Sequence, residues 1–448
     1  MAFEGIEGGP VDRGMFGRFQ ASIKPGWVLE ALSATGTASI RKRRFPAEQV
    51  IWLVLGMALF RDLPIVEVVK ELGLVLPKSG EKRIAASAVS QARGRLGPSP
   101  LRWLFEKCAE AWAHVSARKH AWRGLALYGV DGSTSRVPDS AENRARFGSS
   151  SAGKRGQGGY PLVRLVTLMA LRSHLLAAAR FGPYKDSERK HAREMWSAVP
   201  DDSLTVVDRG FMYAKDLIPL EQQGTNRHWL SRARKNTKWR VVKRLGKGDA
   251  LVEILVNRAS RKENPTLPER WMMRAIRYHR RGFREQMLLT SLLDAERYPS
   301  GEIVALYHER WELELGFDEV KTEMLEREEA IRSQSPEGVE QELWGLGLAY
   351  NLVRLEMEKA AELAGVPPTR ISFVAGLRAI RMDLIRFVFG SPSKLAKRVD
   401  ALRRELAQYV LPERRSQRRY PRAVKIKMSN YPRKRTSATG GTRRAFAK

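Results

Sequence analysis

Cysteine is almost absent from this chain: Cys108 stands alone in 448 residues, which excludes an internal disulfide framework and a cysteine-cluster zinc site. A reducing, cytosolic compartment is the expectation that follows. The seven histidines show no metal-binding spacing, and no Gly-Lys-Ser/Thr phosphate loop occurs. Long apolar runs are missing too. The longest, Val50 to Phe60, covers eleven residues and stops at Arg61-Asp62, too short to span a bilayer. The opening Met-Ala-Phe-Glu-Gly-Ile-Glu has neither a basic nor an apolar signal-peptide region. Acidic residues are scarce, with 49 Asp and Glu against 80 Lys and Arg, a formal net charge of +31.

A hydrophobic fraction of 43% fits a globular protein and excludes a mostly disordered one. The charge therefore decorates a folded body, and it needs an acidic partner. Nucleic acid is preferred to an anionic membrane, because no basic amphipathic helix lies beside an apolar face. From Pro412 to Lys448 thirteen basic residues face one acidic residue, a charge of +12, which leaves +19 on the rest. That tail is poor in apolar residues and predicts a disordered basic arm over 412–448, either following phosphates or solubilising the chain.

Along the body the texture changes twice. Pro46 to Leu72 is helical in pattern, with Pro64 starting a second helix, and Ala85 to Leu96 repeats at helical spacing. Arg93 and Arg95 lie between the apolar positions of that last segment, so it reads either as a DNA-reading helix or as part of an ordinary bundle. A further helix runs to about His120. Near Leu125 strands begin: Leu125 to Val130 ending at Asp131-Gly132, then Tyr160 to Leu171, Leu175 to Phe181, and Leu204 to Val207 ending at Asp208. Residues 229–298 read mainly as basic β structure, and the chain after Glu302 as helices. This order suggests an α/β core with an inserted β segment.

Three carboxylates stand out. Asp131 and Asp208 each follow an apolar strand, at the rim where α/β proteins place ligand sites. Either could equally be a turn or helix-cap aspartate. Between Glu302 and Leu325 the pattern predicts one helix. At about 100° per residue, Tyr307, Arg310, Glu314 and Lys321 share a stripe about 60° wide beside an apolar face. A solvated charged face is the plain alternative, with Asp318 on nearly the same stripe. Carboxylates from separate elements suit two-metal phosphoryl transfer, in which two divalent ions sit roughly 3.5–4 Å apart.

The spacing Tyr307-x2-Arg310-x3-Glu314-x6-Lys321 reproduces the Tyr-Arg-Glu-Lys signature of bacterial insertion-sequence transposases of the insertion-element-four family. Asp131-Gly-Ser-Thr and Asp208-Arg-Gly-Phe-Met-Tyr resemble that family's two aspartate segments, and Arg155 to Pro161 and Leu289 to Asp294 also resemble it. Ser133 stands where Thr is more usual.

The resemblance implies an α/β fold: an RNase H-like catalytic core interrupted by a β-rich insertion, with an N-terminal all-α domain and a helical C-terminal region. The expected divisions are a DNA-binding domain at 1–120, core at 121–228 and 301–411, the insertion at 229–300, and the arm. It implies a DNA transposase that cuts transposon ends and joins the 3′ ends to target DNA. Asp131, Asp208 and Glu314 are the expected catalytic residues, holding two Mg2+, for which Mn2+ can substitute. Tyr307, Arg310, Lys321, Arg209, Arg93 and Arg95 are expected on DNA. Trp239 and Trp271 are candidates for stacking on a flipped base, with core packing the alternative for each. The partners implied are double-stranded DNA (terminal inverted repeats and target) and a second copy of the chain in the synaptic complex. A nuclease that does not join, and a non-catalytic DNA-binding derivative, are the rival readings.

Overall fold

In the computed structural model, residues 22–38, 45–72, 74, 85–150, 159–279, 284–326, 331–387 and 395–413 are described. The chain divides after Leu411, so nearly all of the basic arm, with Arg155 to Gly158 of the family-like run, lies outside the described residues.

Prolines open the N-terminal helices, where their missing N–H is harmless. Pro25 starts α1 (Pro25–Ala34), Pro46 precedes α2 (Ala47–Leu59), Pro64 precedes α3 (Ile65–Glu71), and Pro98 precedes α5 (Ser99–Lys119). Between them lies α4 (Ala86–Leu96). Helix α2 is apolar on every side and accordingly buried all round, from Val50 to Leu59. It packs on α12 (Pro336–Ala364), the long helix of the C-terminal half, so the N-terminal helices and the core are one compact unit. Among the described residues no helix is long and apolar enough to cross a membrane.

The strands are β1 (Ala126–Arg136), β2 (Leu162–Ala170), β3 (Leu176–Pro183), β4 (Ser203–Val207) and β5 (Arg227–Arg232). Then come β6 (Arg240–Gly246), β7 (Asp249–Leu255), β8 (Arg270–Tyr278) and β9 (Gln286–Thr290). The short helices α6 (Ala141–Phe147), α7 (Glu188–Arg193), α8 (Ala214–Gln222) and α9 (Arg258–Glu263) lie among them. One sheet runs in the order β3-β2-β1-β4-β5-β9-β8-β7-β6. Strands β1, β4 and β5 are parallel and the other pairs antiparallel. Its first five strands have the order and directions of an RNase H-like core, and β9 joins β5 so that the β6–β8 meander extends the same sheet.

Two expectations change here. The boundary at 229 falls inside β5, which pairs with β4 and so belongs to the core; its basic flanks resemble the segment that follows, and parallel pairing leaves no mark in sequence. Residues 258–263 form a helix inside the β block, opened by Asn257, whose side chain accepts from the amides of Ala259 at 2.6 Å and Ser260 at 3.3 Å.

The C-terminal half holds α10 (Ser300–His308), α11 (Trp311–Asp318), a π-helical turn at Glu319–Met324, α12, α13 (Phe373–Phe387) and α14 (Leu395–Leu406). The expected single helix from 302 to 325 is thus jointed twice. Glu309 and Arg310 keep right-handed helical dihedrals at the first joint, so the chain turns there without leaving the helical region. Angles counted straight through 307–321 do not hold across these joints.

Candidate active site

Strand β1 does not stop at Asp131. Its antiparallel pairing with β2 continues from Tyr128 to Arg136, while its parallel pairing with β4 ends at Val130 opposite Val207. Asp131 is therefore mid-strand toward one neighbour and at the rim toward the other, and Asp-Gly here is not a turn. One residue beyond the last β1–β4 pair, Asp131 and Asp208 stand level on strands about 4.8 Å apart. The β4–β5 pairing ends at Val207 opposite Ser231, so Arg232 is the third residue in that row. Equal steps along parallel strands turn all three side chains to the same face. Asp208 opens the turn Arg209–Phe211 without making a side-chain cap bond, so capping does not account for it.

Helix α11 covers that face. Gly129, two residues before Asp131, has no side chain because Leu313 is there: a Cβ would fall 2.7 Å from Leu313 Cδ1 and 2.8 Å from Leu171 Cδ2. Gly129→Ala is expected to lower stability by about 1–3 kcal/mol, the usual cost of overpacking, read as a lower urea midpoint. An unchanged midpoint would mean that α11 does not seat on β1.

Seating Leu313 brings Glu314 to the rim with Arg310. Arg310 Nη2 donates to Glu314 Oε1 at 2.7 Å, and its Nη1 is 3.8 Å from Asp131 Oδ2. Burial pushes the Asp131 carboxyl up to about 6, with Glu188 and Asp208 pushing the same way. The Gly132 N–H, donating at 2.8 Å, and Arg310 only partly offset this. Tyr307 is 8% exposed, and burial raises its hydroxyl, against Arg310 and Arg232, with Asp208 adding to the rise. Lys321, in the π turn, lines a small apolar cavity with Ser133 and Ser135, the next residues of β1 on the Asp131 face.

Not every expected DNA contact is available. Arg93 donates to Gln341 Oε1 and Ser333 Oγ, both at 2.9 Å, which fastens α4 to the start of α12 and corrects its expected DNA role. Trp271 is 5% exposed, packed at a tilt against Trp229 with ring centroids 5.1 Å apart and its indole N–H toward Glu221, so it belongs to the core and not to a base. Trp239 is half-buried, and Arg95 and Arg209 are exposed. Sequence reading missed Arg232. The strand-end rule that found the aspartates would have found it, had β5 been recognised as a core strand.

Among the described residues, no three His, Cys, Asp or Glu side chains stand close enough together to hold a metal ion, and Arg310 bridges two of the three carboxylates. The donor chemistry nonetheless fits a hard divalent cation. Asp131, Asp208 and Glu314 offer only oxygen, and half-buried Asp131 lacks enough positive charge to keep its carboxyl in the ordinary range.

A family model described as "Transposase DDE domain" matches residues 124–352, and one described as "Insertion element 4 transposase N-terminal" matches residues 13–106. The chain is 39% identical over 415 residues to "Transposase InsG for insertion sequence element IS4" of Escherichia coli (strain K12), covering 92% of each. It is 39% identical over 220 residues to "Putative transposase InsZ" of the same strain, 49% of this chain and 72% of that protein. The cryo-EM structure of a piggyBac transposase synaptic complex with hairpin DNA shares 11% identity at a TM-score of 0.41, covering 91% of this chain and 88% of that one.

Proposed function

The chain belongs to the insertion element 4 family of DDE transposases, and from that membership we propose that it cuts DNA at transposon ends and joins the freed 3′ ends to target DNA. The observation that carries the proposal is the placement of Asp131 and Asp208 level on adjacent strands, with Arg310 linking Asp131 to Glu314.

In this reading Asp131, Asp208 and Glu314 would hold two Mg2+, whose chemistry there would be activation of a water or 3′-hydroxyl and stabilisation of the leaving oxygen. The rest is work for the chain itself. Before metal enters, Arg310 holds Asp131 and Glu314 together at the rim, limiting their mutual repulsion. Arg232, level with the aspartates, and Lys321 bring positive charge to the phosphate being transferred. Tyr307 is buried, so its part is to support Arg310 from within the core, and any contact with the end strand requires the side chain to move. Trp239 is the insertion residue proposed to meet an unpaired base, and Arg95 and Arg209 contact the backbone. Two ends must be held together for joining, so the working form is a dimer on DNA.

A cleavage assay on an uncut end, run beside a strand-transfer assay with a pre-cut end, tests the proposal. Both activities are expected; cleavage of the first without joining of the second would favour a metal-dependent nuclease, and neither activity would favour a non-catalytic DNA-binding protein.

The basic arm gives a separate prediction. Cutting the chain after Leu411 keeps the bonds from the Leu411 N–H to Arg370 O and from Arg370 Nη2 to Leu411 O, so the body stays closed. Removal of 412–448 is expected to weaken DNA binding and to flatten the plot of log K against log salt by about 0.9 per lost phosphate contact. An unchanged slope would mean the arm touches no phosphate.

A further inference from the structure

Behind the helix that carries Glu314 lies a buried polar cluster with no part in the site described above. His174, in the β2–β3 turn, has a left-handed backbone at φ 63 and is 1% exposed. Arg354 of α12 is equally buried. Arg354 donates through Nε to Glu319 Oε2 at 3.0 Å and through Nη2 to Glu319 Oε1 and His174 Nδ1. Since Nδ1 accepts, the ring proton is on Nε2, which donates to Glu312 Oε2 at 2.9 Å. The Tyr350 hydroxyl adds a bond to Glu319 Oε2 at 2.7 Å. Burial alone would raise the Glu319 carboxyl; the Arg354 guanidinium, with the Tyr350 hydroxyl, outweighs it and holds the group well below the ordinary range.

Glu312 is thus fastened to His174 and Glu319 to Arg354, and the bond between His174 and Arg354 joins the two. Each is followed two residues later by a residue of the Tyr-Arg-Glu-Lys signature, Glu314 and Lys321. In α11 two residues amount to about 200°, so the side bolted inward at Glu312 is opposite the side presenting Glu314. The π turn begins at Glu319, the second bolt, and widens the helix there. Gly316 lets the segment seat closely: a Cβ would fall 2.8 Å from Met169 Sδ and 3.4 Å from the Tyr350 hydroxyl. Ion pairs this deep add little stability over an apolar core of the same volume, because desolvation consumes most of the attraction. What they fix well is geometry.

We propose that His174 and Arg354 form a clamp that sets the rotation of α11 and its π turn, and thereby aims Glu314 and Lys321 into the groove. They are positioning residues and touch no substrate. The inference rests on the reading of Glu314 as catalytic.

The test compares three full-length variants. Glu319→Leu with Arg354→Met replaces the ion pair by apolar side chains; it is expected to keep its melting temperature and end-DNA affinity while cleavage falls about 10²-fold, the cost of an ångström-scale misplacement. Amide exchange over residues 311–324 is expected to accelerate at least about tenfold, and that of β1 and β4 to stay unchanged. His174→Asn, which tolerates the left-handed backbone and removes the link to Glu312, is expected to give the same signature in weaker form, and it decides the matter if the double variant does not fold. Glu314→Gln is the control. Wild-type cleavage and exchange in the folded clamp variants, with Glu314→Gln inactive, would overturn the clamp alone. Retained cleavage in Glu314→Gln would overturn the catalytic reading beneath it.

Discussion

Glu314→Gln is expected to lower end cleavage by about 10³-fold while fold and end binding persist. Glutamine keeps the shape and an oxygen that can accept from Arg310, so the 2.7 Å bond has a neutral replacement. The glutamate side chain is 39% exposed, where an ion pair contributes little to stability, so the melting temperature should barely move. What disappears is the negative charge, which a divalent cation requires and a hydrogen bond does not. Cleavage of a labelled end, a mobility-shift titration and a melt on the same preparation separate the outcomes. Loss of binding or of folded protein together with cleavage would make Glu314 a structural residue.

Asp131→Asn is expected to abolish cleavage and, in metal-free buffer, to stabilise the protein. The Asp131 carboxyl sits at about 6 in the fold, against an ordinary value near 4, and its side chain is 23% exposed. The folded state therefore holds a proton that the unfolded state has released between about pH 4 and pH 6. Stability from this group falls as pH rises through that window, and the loss is complete above the folded value. Two pH units correspond to about 2–3 kcal/mol; Arg310, which loses a partner in the variant, brings the expected gain to about 1–2 kcal/mol at pH 7.5. Urea midpoints with EDTA should show the variant ahead at pH 7.5 and level with the wild type near pH 4. Added Mg2+ should raise the wild-type midpoint and leave the variant unmoved. A variant less stable than the wild type at pH 7.5 would mean that the Asp131 charge is satisfied within the fold.

The level pair of aspartates was legible because strands speak through their ends. Val130 and Val207 close apolar runs, and the residue after each run is the aspartate that the register sets level with its partner. The signature residues 307–321 were legible through spacing alone, but their geometry was not: helical periodicity assumes one unbroken helix, and neither the joint at Glu309–Arg310 nor the π turn has a sequence mark as strong as proline or glycine. Arg93 misled because a basic residue among helical positions looks the same whether it faces DNA or donates to Gln341, almost 250 residues away. Trp271 is similar: its packing against Trp229 depends on strands β5 and β8 being brought together by β9 between them. Contacts of that range are products of topology, which local pattern does not encode. The Arg354–Glu319 pair is the sharpest case, since a charge-rich helix reads as solvated until α12 is known to lie against it.

The central claim is that Asp131, Asp208 and Glu314 serve one metal site. The most direct measurement is anomalous scattering from crystals of the chain with a pre-cut end DNA and Mn2+. Manganese peaks within about 2.0–2.6 Å of oxygens from all three carboxylates, with Arg310 displaced from Glu314, are the predicted result. Manganese bound elsewhere, or the three carboxylates without a shared ion while Arg310 keeps its bridge, would contradict it.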